Sequence, residues 1–399
     1  MQRDSSPVEI RDGQGDDDMR HFAEVDAESF AGHAAANMRW LAAAAPHATL
    51  RLACMEGDVV GGYLLLPVGQ FFGGRPVQAQ AVTAVAVHPA WRRRGVAGAL
   101  MRDCVAVARD HGSALAPLHA ATVRLYRRWG WEVCSQTLRQ TVRTAALSGL
   151  SGSGRVRAKP DRGAIETMRR AHVGRWDGPL DRPDWFLSVE WDPGEAETPR
   201  FEYGWYEGDR LTGYVRYESE RQAGGWIRLR VQEFIWTTLD ALGGLLGFLG
   251  GQESQSTDVV FVHSAIVDAS PLQWLLPEPH RDTELSGFLC WMQRIVDIDA
   301  AMTARGWPLR ASGRIELEVT DPVTGVDRLV LEVERGAARV TPGGSGAIRC
   351  GVGAFSAWYS SAMRAQDAAR LGLLEGDASA VGTMDGLIAG GLPWMPDFF

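Results

Sequence analysis

Apolar residues recur at helical spacing over 17–31, where Met19, Phe22, Val25 and Phe30 share a side, and a second helix is predicted over 39–45. Strand patterning follows over 50–55 and 59–68, and the turn Glu56, Gly57, Asp58 between them predicts a hairpin. A Val- and Ala-rich strand is expected over 78–87, stopped by Pro89. The helix after it, over 96–111, carries its apolar face through Val96, Leu100, Cys104 and Val107. A short strand at 115–118, a short helix at 122–129 ended by Gly130, and a strand over 131–142 complete one α/β unit.

The Gly- and Ser-rich run 147–155 cannot be the interior of an element and closes that unit. A helix over 163–173 and strands over 186–191, 201–206, 211–217 and 227–235 come next. A helix over 238–249, entered through an N-cap threonine or aspartate, and a strand at 259–261 complete a second α/β unit. It has no arginine-glycine turn before its last helix. From Phe288 the pattern changes again: a helix over 289–302, hairpin strands over 314–319 and 328–334, a strand over 347–351, and helices over 353–362 and 365–374. The last ten residues hold Pro393 and Pro396, so they are no helix interior. Three domains are expected, 1–146, 147–286 and 287–399.

Composition narrows the function classes. The longest mostly apolar stretch, 235–249, is interrupted by Thr237, Thr238, Asp240 and glycines, short of the ~20 residues that a membrane helix needs. The acidic N-terminus has no apolar core of a secretory signal. Cys54, Cys104, Cys134, Cys290 and Cys350 are scattered and odd in number, which points to a reducing compartment, so a cytoplasmic location is expected. Lys and Arg number 41 against 49 Asp and Glu, a net charge of -8, and Lys159 is the one lysine. That balance argues against a nucleic-acid partner and suits a cationic small molecule. No metal site is expected, since His33 and His47 lack ligand partners and the cysteines lack C-x-x-C spacing.

The most informative segment is 82–100. A helix beginning near Gly95 aims its unbonded amides at the preceding turn, where Arg92, Arg93 and Arg94 add positive charge. Such a turn can hold a pyrophosphate, with Gly95, Ala97 and Gly98 leaving room for close approach. It can equally be a basic loop facing solvent. A dinucleotide fold would need Gly-x-Gly-x-x-Gly directly after the first strand, and a Walker loop would need Gly-Lys-Ser/Thr; neither is present. By its spacing Tyr126 reads as an aromatic packed at i,i+3 against Trp129. His88, next to Pro89, reads as a turn residue rather than a base.

This segment resembles the acyl-coenzyme A loop of the GCN5-related N-acetyltransferase family, Gln/Arg-x-x-Gly-x-Gly/Ala, with Arg92, Gly95 and Ala97 in the matching positions. The resemblance implies that Val85 and Val87 mark the strand end holding the pantetheine and thioester. It also implies that Tyr126, on a short helix before Gly130 and Trp131, stands at the coenzyme sulfur. Taken whole, two acetyltransferase-like units followed by a region that closes on Phe399 resemble the Eis family of acetyltransferases. That resemblance implies an α/β chain of two tandem acetyltransferase domains and a sterol-carrier-like α+β domain, with acetyl-CoA as cosubstrate. It further implies a terminal carboxylate at Phe399 acting as base, a hexamer, and acetylation of aminoglycoside amines.

Coenzyme contacts are thus expected at Val85, Val87, Arg92, Arg93, Gly95 and Gly98, with Tyr126 and Phe399 catalytic. Asp26, Glu28, Phe30 and Trp40, in the helices lining the amine pocket of acetyltransferases, and Asp397 near the end, are candidates for the acceptor. Acids in such helices can also simply face solvent, and Asp397 can be surface. Protein lysine and polyamines are alternative acceptors. A further alternative is an apolar-ligand carrier whose first domain is vestigial, against which the intact Arg92 to Gly98 turn and Tyr126 both count.

Overall fold

The computed structural model describes residues 7–186, 200–267 and 271–399. The first unit runs β1 (Glu9–Asp12), α1 (Gly15–Phe30), α2 (Ala34–Ala44), β2 (Thr49–Met55), β3 (Asp58–Phe72) and β4 (Arg75–Val87). It continues through α3 (Val96–Asp110), β5 (Leu118–Ala120), α4 (Val123–Arg127) and β6 (Glu132–Arg143). Side chains alternate along its strands, and each face of the sheet takes a different helix layer. Leu52 and Leu64 pack under α1 and α2 with Phe22, Val25 and Leu41, whereas Ala53, Tyr63 and Leu65 pack under α3 with Val96, Leu100 and Cys104.

The second unit contains α5 (Thr144–Leu147), β7 (Arg155–Ala158), α6 (Arg162–Val173), β8 (Leu180–Asp181), β9 (Arg200–Glu207), β10 (Arg210–Arg221) and β11 (Ile227–Trp236). After these come α7 (Leu239–Gly250), β12 (Ser256–Phe261), α8 (Leu272–Leu275), α9 (Pro279–Asp282) and β13 (Thr283–Gln293). Thr238 caps α7, its hydroxyl accepting from the Ala241 amide at 3.0 Å. The strand expected over 186–191 falls, past Phe186, outside the described residues.

The two units share one sheet in the order β1-β2-β3-β4-β5-β13-β6-β12-β11-β10-β9-β7. The exchange at its middle ties them together. β13, from the second unit, runs antiparallel between β5 and β6, with Trp291 opposite His119 on one side and Ser135 on the other. β6, from the first, reaches across to β12. This corrects the sequence expectation of a helix over 289–302: residues 289–293 are strand, and the domain boundary expected at 286/287 falls within β13. A gap between β5 and β6, supplied by residues more than a hundred positions away, overrides the local helical spacing.

The third unit holds α10 (Ile298–Ala304), β14 (Gly313–Asp321), β15 (Gly325–Glu334), β16 (Ala337–Pro342), β17 (Ile348–Gly351), α11 (Val352–Tyr359), α12 (Ala365–Arg370), β18 (Leu374–Glu375) and α13 (Ala378–Leu387). Its sheet runs β16-β15-β14-β17-β18. Phe355, Trp358 and Tyr359 of α11 are fully buried in a core that also contains Phe72 and Trp291 of the large sheet. No helix among the described residues is long and apolar enough to cross a membrane.

Candidate active site

β4 and β5 are parallel neighbours at Val82, opposite Leu118, after which β4 continues to Val87 while β5 pairs with β13. A gap opens between them. Up to that point Gln80 and Val82 donate their amides toward β5, to the Leu115 and Pro117 carbonyls, each at 2.9 Å. A β-bulge between Thr83 and Ala86, with Ala84 at φ 49°, adds one residue against β3 and reverses the alternation. The His88 amide then donates to Val60 on β3, so the amides of Val85 and Val87 face the gap.

The chain leaves β4 through a single helical turn, Pro89–Trp91, capped by His88, whose Nδ1 accepts from the Ala90 amide at 3.2 Å. Nδ1 as acceptor leaves the proton on Nε2, which donates to Glu28 on α1 at 3.1 Å. Arg92 donates to the Val87 carbonyl at 3.3 Å, and Arg92, Arg93 and Arg94 are exposed. Gly95 enters α3 at φ 87°, a left-handed conformation that glycine adopts without steric cost. Because the first helical bond is from the Ala99 amide to the Gly95 carbonyl and no side chain caps the helix, the amides of Val96, Ala97 and Gly98 stay available. Gly98 meets a second demand: a Cβ there would lie 3.1 Å from the Trp129 indole. Unbonded amides, three exposed guanidinia and the gap beside β4 fit the pyrophosphate and pantetheine of a coenzyme A thioester.

α4 follows β5, and its Tyr126 is buried with its ring edge-on to Trp131 at 6.1 Å. Burial, with the neighbouring Cys104, pushes the phenol well above its ordinary pKa and keeps it protonated. A fully buried Arg294 braces the end of this helix, donating to the Trp129 carbonyl and, at 2.8 and 2.7 Å, to both oxygens of Asp321 in the third unit.

On the other side of the β4 end, the Ser29 hydroxyl of α1 lies 3.2 Å from the Val87 carbonyl. One turn earlier, Asp26 accepts from Asn37 of α2 at 2.7 Å, and burial raises its pKa to about 6. Phe30, at the end of α1, is exposed, and Trp40 is half-buried against the α1-α2 cluster. Glu28 is largely exposed and tied to His88. Asp26 is therefore the half-buried acid of these two, and Glu28 the exposed one.

The tail reaches this region from the second unit. Trp394 donates its amide to Asp177 at 2.8 Å and its indole N–H to Ser264 at 2.8 Å. Asp397 is neither surface nor available to an acceptor, which corrects its assignment from sequence. Its side chain is fully buried. One oxygen accepts from Arg169 at 2.5 Å and Arg182 at 2.6 Å, the other from the Leu180 amide at 2.7 Å. The Asp397 carbonyl accepts from His119 Nε2 at 2.8 Å, which fixes the tautomer, and Nδ1 accepts from the Thr137 hydroxyl at 3.3 Å. Burial pushes His119 down to about 4, so it is neutral and spent in positioning. Phe398 and Phe399 each sit 5.0 Å from the His119 ring, on β5 at the mouth of the gap.

Sequence reasoning missed Arg169, Arg182 and Arg294 as parts of this arrangement, and it placed His119 near the site without giving it a role. One signal was present: Arg169 lies on the apolar stripe of its own helix, with Ile165, Met168, His172 and Val173, where an unpaired charge does not belong. A larger cavity, about 470 Å³, lies in the second unit near Arg143, Trp226 and Glu253. None of its lining residues belongs to β4, the arginine turn, α3 or α4, so it is separate from the site described above.

This strand, bulge, turn and helix define a GCN5-related N-acetyltransferase. Residues 9–134 and 178–295 match acetyltransferase (GNAT) domain families, and 298–396 match a sterol carrier protein domain. The N-acetyltransferase Eis of Mycobacterium tuberculosis (strain ATCC 25177 / H37Ra) is 30% identical over 305 residues, 71% of each chain. The chain belongs to the Eis family of acetyltransferases, and it is an acetyl-CoA-dependent enzyme. Among solved structures, a GCN5-related N-acetyltransferase from Anabaena variabilis has a TM-score of 0.91 at 24% identity, over 98% of this chain and 100% of that one. Eis1 from Mycobacterium abscessus has a TM-score of 0.79 at 20% identity, over 98% and 100%. Both likenesses concern the fold.

Proposed function

We propose that this enzyme acetylates primary amines of polycationic, aminoglycoside-like acceptors, with Tyr126 as general acid and, in a chain that ends at Phe399, the terminal carboxylate as general base. The observation carrying this reading is the seat of the tail: Phe398 and Phe399 pack on His119, one strand from β4 and just before Tyr126 in the chain. Acetyl-CoA supplies the acetyl group as a thioester, held by the Val96 to Gly98 amides, Arg92, Arg93 and the β4 strand end. The carboxylate takes a proton from the acceptor ammonium, directly or through water, and frees the lone pair that attacks. A carbon–nitrogen bond forms, the carbon–sulfur bond breaks as Tyr126 gives its proton to the departing sulfur, and the proton shed by the new amide nitrogen restores the phenol. The Val85 and Val87 amides support the carbonyl oxygen as charge develops on it. Asp26 receives a second ammonium of the acceptor, which favours polycations. We also propose a hexamer, from the family, and a cytoplasmic location, from the scattered cysteines.

The test is one residue added after Phe399. A terminal Gly shifts the carboxylate by about 3.5 Å and leaves every side chain in place. Turnover is expected to collapse with fold and acetyl-CoA affinity retained. Wild-type turnover of the extended enzyme across pH 6 to 9 eliminates the terminal carboxylate as base.

A further inference from the structure

Among the described residues, the second unit repeats the element order of the coenzyme site with a much shorter strand-to-helix junction. Its β11 and β12 are parallel and joined by α7, as β4 and β5 are joined by α3. β11 pairs with β12 from Ile227 to Val231, and the Val262 amide adds one bond to Val231 before the strands part. A second gap therefore opens beside Gln232 to Ile235. Only Thr237 and Thr238 separate β11 from α7, whereas residues 88–95 separate β4 from α3, so no turn exists there to hold a pyrophosphate.

That gap is filled by this chain's own tail. Trp394 and Pro396 line it with Gln232 to Ile235, Ala265, Arg169 and Arg182, leaving about 10 Å³, room for one water at most. The Asp177 amide donates to Leu392 at 3.0 Å, Trp394 bonds Asp177 and Ser264, and Phe398 stacks on His263 at 4.4 Å. At the inner end stands a buried cluster of four charges. Arg169 and Arg182 share Asp397 and are braced from β11 by Glu233, at 3.2 and 3.0 Å. A third acid, the half-buried Glu166 of α6, lies close enough to interact with all four. Burial works to raise the Asp397 pKa, but the two guanidinia and the Leu180 amide outweigh it and hold the carboxylate ionised.

We propose that the second unit's gap is a binding site whose ligand is the tail, residues 392–397, and that Asp397 is the positioning residue presenting Phe399 to the first unit. The proposal rests on the reading of the chain end as the base. It gives the second acetyltransferase-like unit a task other than catalysis: it holds by ion pairs and an indole what the first unit uses.

The test uses the full-length Asp397→Asn and Asp397→Glu proteins beside the Gly-extended enzyme. Asp397→Asn removes one of the acids around two buried guanidinia and leaves Glu233 and the half-buried Glu166 of α6 near them. Its tail is expected to become accessible to carboxypeptidase, and turnover to fall by about 100-fold, the scale of a roughly 1 Å misplacement. Acetyl-CoA affinity stays unchanged, and activity rises with pH as the acceptor amine loses its proton unaided. Asp397→Glu keeps the charge and is expected to restore tail protection and part of the turnover, and it carries the test if the Asn protein does not fold. A protected tail with wild-type turnover in the folded Asn protein overturns the proposal. A released tail with unchanged turnover also overturns it. Full activity of the Gly-extended enzyme, with the tail still released by Asp397→Asn, instead removes the base reading while leaving the binding site intact.

Discussion

In the proposed reading Asp26 sets stability against acceptor binding, and Asp26→Asn separates the two. Burial lifts its carboxyl from 3.8 to about 6, offset only in part by the Asn37 hydrogen bond. A folded pKa above the unfolded one means that the neutral form favours the fold. Its contribution is complete below pH 3.8 and lost as pH rises through about 6. At ~1.4 kcal/mol per unit, the ionised carboxylate costs about 3 kcal/mol at pH 8 and about half of that at pH 5. Asparagine has nearly the same shape and still accepts from Asn37, so it removes the cost without a cavity. Calorimetric unfolding is expected to show the variant more stable than wild type at pH 8, with the difference shrinking toward pH 4. Losing an ammonium–carboxylate bond of ~1.5–3 kcal/mol should raise KM for a polycationic acceptor about 10- to 100-fold, with acetyl-CoA affinity unchanged. Wild-type KM should itself rise as pH falls through about 6, while the variant stays flat across that range. Equal stability at pH 8 together with an unchanged KM would refute both the burial cost and the acceptor role.

Tyr126→Phe keeps the ring packed on Trp131 and removes the proton; turnover under saturating substrates should fall by ~10²- to 10⁴-fold with the melting temperature little changed, and equal turnover in a chemistry-limited assay would end the acid role. Gly95→Ala forces a side chain onto φ 87°, a strain of ~1–3 kcal/mol, and should weaken acetyl-CoA in calorimetric titration before it alters acceptor affinity. Light scattering at micromolar concentration should report one closed assembly of six chains; a 43.5 kDa monomer alone contradicts the hexamer.

What the sequence determined by itself is local. The strand over 78–87, the arginine turn, Gly95 and the helix after it are legible because a proline, a positive-φ glycine and a 3.6-residue period lie within a few turns of one another, and Tyr126 stands out against its Gly130 boundary in the same way. What only tertiary structure decided are the partnerships between distant segments. Residues 283–293 carry no pattern that names their neighbours, and they are a strand because β5 and β6 part far enough to take one. Asp397, near the end of the chain, looks like a surface acid until α6 and Arg182 bring two guanidinia to it from 228 and 215 positions away. His119 is a neutral prop rather than a base because the tail's carbonyl and the surrounding burial fix its proton. A charge's role depends on which opposite charge shares its desolvated surroundings, and one-dimensional spacing does not contain that pairing.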